Sequence, residues 1–379
     1  MRFLLEGHGL GEPEGELEQA LAQLEGWAAP VAVWEQGLLA SRCTDYSPQR
    51  LDEQFLSGFL TWFRSTGNGQ GAQQLVAATP VTIVPRRKLA IWRPGMKPEP
   101  ERLGSVAERI REALLDGGAT FAVELEERTG LMQNQLEQGL AELVAQGVVT
   151  ADAFSPLRWL IRPDSEKRRL EKRLSRRRIG AAGGRGSGLL GRWSIMAAGD
   201  PQREATLFPQ QARLAALCEA LLLRYGVVFR AVLERETALP PWRQLLRYLR
   251  RMEDRGEVHG GWRLEGFSDK QFALPEAVGL LRRCAGKSRD RRLVVVTAAD
   301  PLNLGGIITP GVKTAVRPGN RILLLNGLPV ARLQGDQLEL LGRNQEIASS
   351  EAERYLRSVR SFPRAAAGQG ASVGGALDS

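Results

Sequence analysis

Apolar residues recur at helical spacing in three parts of the chain and at strand spacing near its end. The first part holds an apolar helical face at Leu17, Ala20, Leu21 and Leu24 and an amphipathic stretch over 48–62. Short β-prone runs follow over 81–92, where prolines limit any strand to a short or edge position. We assign residues 1–98 to an N-terminal α/β module.

A second pattern, over residues 99–163, contains three helices and a β-ribbon. The predicted elements are helices over 106–115, 121–128 and 131–146, then strands from Val148 towards Leu157–Ile161. This order is typical of the winged helix-turn-helix. We call residues 99–163 the acidic module.

Residues 201–288 repeat that order and form what we call the basic module. Its predicted elements are helices over 211–224, 228–236 and 242–255 and a wing strand over 258–264. Pro241 fits the start of the third helix, where a missing N–H costs nothing. We interpret the N-terminal module as a winged-helix-like remnant.

The remaining segments are a linker, a β unit and a tail. Residues 164–200 are basic and then glycine-rich, which predicts a linker. Residues 289–345 are β-prone, and Asn326-Gly327 is a strong hairpin signal that predicts a small β-barrel or β-meander. We expect residues 346–379 to be disordered. The predicted fold class is α+β and multidomain, with tandem winged helix-turn-helix modules followed by this β unit.

The net charge of +9 is divided unevenly along the 379 residues. Residues 1–163 hold 15 basic and 21 acidic groups, whereas residues 164–345 hold 33 basic and 18 acidic groups. This division indicates that one half of the chain faces a polyanion. No apolar run is long enough to cross a bilayer, and no signal peptide is recognisable. We therefore expect a cytoplasmic, nucleoid-associated protein without a membrane partner.

Metal and cofactor chemistry is not indicated by the sequence. Three isolated cysteines (Cys43, Cys218 and Cys284) and two histidines (His8 and His259) make neither a disulfide framework nor a zinc site. Gly286-Lys287-Ser288 lacks the earlier glycine of a phosphate-binding loop, and residues 186–191 match a dinucleotide motif without a preceding strand. We expect no metal, no cofactor and no nucleotide-hydrolysing site.

The third helix of the basic module carries the sharpest candidate site. Arg243, Arg247, Arg250 and Arg251 are spaced to share one face of that helix. Such arginines bond phosphates or guanine edges, and Arg255, Trp262 and Arg263 would extend the surface into the wing. The alternative is a solvated basic face with Trp262 in the core. The matching helix of the acidic module carries Glu137 and Glu142, which argues against groove reading there.

The basic run over 166–178 is a second candidate for contact with nucleic acid. Its basic residues are Lys167, Arg168, Arg169, Lys172, Arg173, Arg176, Arg177 and Arg178. They could form a phosphate-neutralising arm, a solvated helix end or a localisation-like tract. Asp300 and Asn303, after a buried-type strand, are weak catalytic candidates, and both are also ordinary turn residues.

Several phrases of the chain, taken in order, resemble one protein family. They include VWEQGLLASRCTDYSPQRLDE, ATFAVELEERTG, LAELVAQGVVTADAFSPLRWLIRP, GRWSIM, RYGVVFRAVLERE, QFALPEAVGLLRR and TAADPLN. Together they are similar to the C-terminal region of the large helicase-related (Lhr) family of superfamily 2, DNA-repair-associated ATP-dependent helicases.

The resemblance implies an array of winged helices and a β-barrel, with DNA and helicase motor domains as partners and a tendency to homo-oligomerise. It also implies uracil-DNA glycosylase activity in some bacterial members. The helicase motifs are absent from these residues, so we expect no ATPase motor here. Three functions remain open: DNA-binding and interaction module, glycosylase, or purely structural oligomerisation module.

Overall fold

The computed structural model describes twelve ranges of the chain. They are residues 16–43, 45–64, 74–93, 102–177, 188–196, 209–261, 266–267, 269–284, 291–308, 311, 313–341 and 347–357, with the side chains of residues 171 and 173–177 outside the description.

The N-terminal module contains helices and a three-stranded antiparallel sheet. Its elements are α1 (Leu17–Gln23), β1 (Ala28–Pro30), a helical turn (Val31–Val33) that continues as a π-helix (Trp34–Leu39), α2 (Pro48–Leu56), β2 (Leu60–Phe63), β3 (Pro80–Pro85), a 3-10 turn (Arg86–Lys88) and α3 (Leu89–Trp92). The strand order is β1-β3-β2. The amphipathic stretch over 48–62 was expected to continue to Trp62, but Gly58 has φ of 77° and the chain then becomes β2.

The acidic module repeats this order with an insertion, and in the structure it extends beyond residue 163 to the strand that ends at Ile195. Its elements are α4 (Ser105–Gly117), β4 (Thr120–Phe121), α5 (Ala122–Thr129), α6 (Gln133–Ala145), β5 (Val149–Ala151), α7 (Ser155–Leu160), α8 (Asp164–Arg177) and β6 (Arg192–Ile195). The strand order is β4-β6-β5. Helices α7 and α8 are therefore inserted between the two strands that flank a wing.

The basic module follows the same plan. Its elements are α9 (Gln210–Tyr225), β7 (Val227–Val228), a 3-10 helix (Arg230–Arg235), α10 (Trp242–Asp254), β8 (His259–Gly261), β9 (Gln271–Ala273) and α11 (Pro275–Cys284). The strand order is β7-β9-β8. All three modules thus share one arrangement, in which the last strand lies between the first and the second, as in a winged helix.

The β unit is an open meander. It consists of β10 (Leu293–Thr297), β11 (Arg321–Leu325), β12 (Leu328–Gln334) and β13 (Gln337–Leu340), paired in that order. Asn326 and Gly327 both have positive φ (49° and 84°), as the tight turn between β11 and β12 requires. The described residues contain no closed barrel, so the meander is the correct alternative and the fold class is α+β.

Two expectations about the chain around the insertion were wrong. Residues 157–161 were expected to form a strand, but they belong mostly to α7, whose start holds Pro156 and whose apolar side chains Leu157 and Leu160 are buried. Residues 164–200 were expected to be a linker, yet α8 begins at Asp164. Moreover, β6 supplies the central strand of the sheet, with Trp193 fully buried. Tertiary packing overrides local composition here.

The expectation of a disordered tail also needs correction. A further helix, α12 (Ser349–Arg357), packs against β11 and β12 with Ala352 and Leu356 buried. Arg321 donates a hydrogen bond to the Leu356 carbonyl at 2.9 Å, and Arg291 pairs with Glu351 at 2.9 Å. Residues 358–379 lie outside the described residues.

The N-terminal module holds the other parts together. Towards the acidic module, Trp62 donates from Nε1 to the Ala153 carbonyl at 3.0 Å. Towards the basic module, the buried Arg224 bonds the carbonyls of Gln23 and Glu25. Towards the β unit, Trp27 donates to the Ala299 carbonyl at 2.9 Å.

Candidate nucleic-acid interface

Helix α10 is strongly amphipathic, which fixes the direction of its arginines. Leu245, Leu249 and Met252 are buried at three- and four-residue spacing and belong to the same apolar core as α9. The helix begins at Trp242, directly after Pro241, whose extended backbone (ψ of 137°) serves as the N-cap. Because the apolar side is sequestered, the polar side must face solvent.

The four predicted arginines lie on that exposed side. Arg243, Arg247, Arg250 and Arg251 are all solvent-exposed. No ion pair or hydrogen bond joins these four side chains to any other residue in the described ranges. Four guanidinium groups along one helical face, with no ion-pair partner among the described residues, form a surface suited to an anionic ligand. We call these four residues the arginine row.

The other predicted members of this surface have different positions. Arg255 is exposed, but it bonds Glu257 through Nε and Nη2, and its guanidinium carbon lies 5.7 Å from the centroid of the Tyr248 ring. The hydrogen bond from Arg255 lowers the pKa of the Glu257 carboxyl. Trp262 and Arg263 lie outside the described residues. The structure therefore brings four of the seven together on one face, where none of them is paired with another described residue.

The equivalent helix of the acidic module, α6, is joined to the inserted helices α7 and α8 through Glu137. Both oxygens of Glu137 are bound, Oε1 by the indole N–H of Trp159 at 2.8 Å and Oε2 by Lys167 at 2.8 Å. Glu142 accepts the backbone N–H of Gly104 at 2.7 Å. Both carboxylates therefore make contacts within the protein, and the absence of groove reading by α6 stays a prediction.

The equivalent helix of the N-terminal module, α2, also contacts another part of the protein, the helix α7. Asp52 Oδ1 accepts the backbone N–H groups of Phe154 and Ser155 at the start of α7, at 2.8 and 3.0 Å. Its Oδ2 binds Arg158 at 2.5 Å, and Arg158 reaches Glu35 at 2.6 Å. Burial raises the pKa of the Glu35 carboxyl.

The basic run belongs to α8, and its members differ in exposure. Lys167 was expected to contact phosphate, but it is turned inward to Glu137 and lies 5.8 Å from the centroid of the Trp159 ring. Arg168, Arg169 and Lys172 are exposed. The side chains of Arg173, Arg176 and Arg177, and the whole of Arg178, lie outside the described residues. A carboxylate beside an aromatic face explains the position of Lys167.

The weak catalytic candidates have structural partners. Asp300 is 1% exposed, binds Arg42 through both oxygens at 2.8 and 3.0 Å, and accepts the N–H of Leu302 at 2.9 Å. The Asn303 amide donates to the Ala298 carbonyl at 2.9 Å. A carboxylate buried in this way does not face a substrate, so the geometry favours the turn interpretation.

Two arginines that join the modules, the buried Arg224 and the partly buried Arg235, could not be singled out from the sequence. Arg224 pairs with Glu236, and Arg235 bonds the carbonyls of Ala298 and Asp300. Both guanidinium groups also lie over the Trp27 ring, with centroid distances of 5.6 and 5.3 Å. In the sequence these arginines look like any surface arginine, and only the neighbouring apolar residues hint at burial.

Two kinds of feature are absent from the described residues. They contain no group of three or more His, Cys, Asp or Glu side chains placed to hold a metal ion. Within the same ranges, no helix combines the length and the apolar character that a membrane span requires.

Comparison with known proteins identifies relatives for most of the chain. Two family models match, over residues 1–82 and 209–293, and each is described as a winged-helix domain of the large helicase-related protein. The chain is 29% identical over 383 positions to the "Lhr helicase/ probable uracil glycosylase" of Mycolicibacterium smegmatis, covering 96% of this chain and 23% of that protein. It is 28% identical over 323 positions to the "Lhr helicase/uracil glycosylase" of Escherichia coli, covering 80% of this chain and 20% of that protein.

The chain thus spans about a fifth of the length of the curated relatives that it matches. The matched residues include two of the three modules that share the winged-helix arrangement, among them the module that carries the arginine row. Together, the two winged-helix matches and the homologues covering most of its length support the resemblance of the chain to a C-terminal region of the large helicase-related family.

Proposed function

We propose that this chain binds DNA through the arginine row, as the DNA-binding and interaction region of an Lhr-type helicase. One observation carries the proposal. Of the three equivalent helices, α2 and α6 are bound to other parts of the protein through Asp52 and Glu137, whereas α10 presents four unpaired arginines within the described ranges.

The chemistry of the arginine row suits DNA. The third helix of a winged helix enters the major groove, where an arginine can donate two hydrogen bonds to guanine O6 and N7. Arginines that do not meet bases can bind phosphates and release counterions. The exposed Arg168 and Arg169 of α8 add two further positive groups for backbone contact. Single-stranded and duplex DNA are both candidate ligands.

The acidic and N-terminal modules have a different proposed role. Their equivalent helices make contacts within the protein. We therefore propose that these modules bind other proteins, either helicase motor domains or further copies of the chain. The relatives, whose names include helicase activity, extend far beyond the matched region. DNA repair as the setting and association with the nucleoid belong to the same proposal.

Fluorescence anisotropy with labelled duplex and single-stranded DNA tests the arginine row. Arg247→Glu with Arg251→Glu should weaken binding at least tenfold at low salt, because the double change reverses two contacts. The control is Arg109→Glu with Arg128→Glu, which changes the same charge at exposed arginines of the acidic module. Equal losses in the two variants would refute a specific role for the arginine row.

Uracil-DNA glycosylase activity is a second candidate, and the names of both relatives favour it. Such chemistry needs a pocket for a flipped base and a carboxylate facing the sugar. Asp300 does not meet this requirement, because Arg42 occupies both of its oxygens. A nicking assay on a uracil-containing oligonucleotide decides the matter: abasic product would support the activity, and its absence at high protein concentration would exclude it.

A purely structural oligomerisation module is the third candidate. It predicts assembly in solution together with no affinity for DNA. Size-exclusion chromatography with light scattering, run beside the anisotropy titration, separates this role from the first one.

A further inference from the structure

Trp159 contacts the chain at two places, in the first turn of α8 and shortly before β6. Lys167, in the first turn of α8, lies over the Trp159 ring. Gly188 packs closely against the same ring. A Cβ atom on Gly188 would stand only 1.9 Å from Trp159 Cδ2, so this contact requires glycine. Trp159 therefore holds the chain both at the start of α8 and at Gly188.

Glu137 of α6 completes this anchor. Its carboxylate joins α7 through the Trp159 indole and α8 through the Lys167 ammonium, both at 2.8 Å. The side chains of Glu137 and Lys167 are only 14% and 13% exposed. A hydrogen-bonded, partly buried pair resists screening better than a surface ion pair does.

A second set of contacts, from Asp52, also fixes α7. Asp52 accepts two backbone N–H groups at the N-terminus of α7 and binds Arg158 within that helix. Only three residues separate the end of α7 at Leu160 from the start of α8 at Asp164. Fixing α7 therefore also fixes the first turn of α8.

We infer that Glu137 is a positioning residue for DNA binding, because it holds the first turn of α8 so that Arg168 and Arg169 face the DNA backbone in a fixed direction. This inference rests on the proposed function. Glu137 does not touch DNA itself. Its loss makes α8 less ordered, and ordering it again on binding lowers the affinity.

The inference predicts an effect opposite to simple electrostatics. Glu137→Gln removes a negative charge, which by itself would strengthen DNA binding, yet it should weaken binding roughly three- to tenfold by loss of preorganisation. The control is Glu124→Gln, an exposed carboxylate of α5 in the same module. It should leave the affinity unchanged or slightly higher. If Glu137→Gln binds as tightly as Glu124→Gln or more tightly, the inference is wrong.

A double-mutant cycle separates anchoring from direct contact. If Lys167 affects DNA binding only through its ion pair with Glu137, the affinity losses of Lys167→Gln and Glu137→Gln should not add in the double variant. Additive losses would mean that Lys167 contacts DNA independently, which would overturn the inference.

Limited trypsin digestion supplies a readout that does not depend on DNA. Cleavage after Arg168 and Arg169 should be faster in Glu137→Gln than in Glu124→Gln, at equal unfolding midpoints; equal rates would refute the anchor. Arg168→Glu with Arg169→Glu tests the contact with DNA. Suppose that this variant binds DNA like the wild type while Glu137→Gln still speeds digestion. In that case α8 does not contact DNA, and Glu137 has only a structural role in holding α8.

Discussion

Arg42 and Asp300 stand 258 positions apart in the chain and form a two-bonded ion pair in which each side chain is 1% exposed. The pair joins the N-terminal module to the β unit. Arg42 also donates to the Leu38 carbonyl at 3.1 Å, and Asp300 accepts the N–H of Leu302 at 2.9 Å. Both charges are therefore compensated by hydrogen bonds as well as by each other.

Removing one partner of this pair should be costly. Asp300→Asn leaves the buried Arg42 guanidinium without its counter-ion, and we expect the free energy of unfolding to fall by about 3–5 kcal/mol. Arg42→Met with Asp300→Leu removes both charges and should recover much of that loss. Urea unfolding of the three proteins measures the effect. A single variant as stable as the wild type would contradict the assignment of Asp300 to a structural role.

The Trp27 indole should matter through its N–H group as well as its ring. Trp27→Phe keeps an aromatic face for Arg224 and Arg235 but loses the hydrogen bond to the Ala299 carbonyl. We expect a loss of about 1–3 kcal/mol, because a buried acceptor loses its partner. Hydrogen exchange should become faster in β10, the strand before Ala299. The control is Trp242→Phe, a partly exposed indole at the start of α10, which should leave β10 exchange unchanged.

The cluster of Glu35, Tyr46 and Arg158 should make stability depend on pH. Burial raises the folded-state pKa of Glu35 above its ordinary value of 4.5. Between 4.5 and that raised pKa the folded state binds more protons than the unfolded state does. The contribution of Glu35 to stability therefore increases as the pH falls through the raised pKa, and it is complete below 4.5.

Glu35→Gln removes this titration and keeps a group that can accept from Tyr46 or Arg158. Subtracting its unfolding free energy from that of the wild type at each pH isolates the contribution of Glu35. We expect the difference to move in favour of the wild type as the pH falls from 8 towards 4.5. A difference that stays constant across this range would mean that the pKa of Glu35 is not raised.

Much of the local structure could be predicted from the sequence. The periodicity of α4, α6, α9 and α10 indicates helices close to their observed bounds, since each carries an apolar face that must be buried. Asn326-Gly327 predicts the turn between β11 and β12, because few other residue pairs tolerate two positive φ values. The arginine row follows from the same helical period.

The errors arose where distant residues decide local structure. The run over 157–161 is rich in apolar and aromatic residues, as strands are, but Asp52 caps its start and makes it helical. The strand β6 was missed because a long basic and glycine-rich stretch precedes it. Lys167 was assigned to phosphate because nothing in the sequence places Glu137 beside it.

The salt dependence of DNA binding tests the central claim most directly. Each phosphate contact lowers the slope of log affinity against log salt by roughly 0.9 on duplex DNA. If Arg247 and Arg251 each neutralise a phosphate, Arg247→Gln with Arg251→Gln should make the slope shallower by roughly 1.8. A slope and an affinity both equal to those of the wild-type protein would contradict the account, because the arginine row would then contact neither phosphates nor bases.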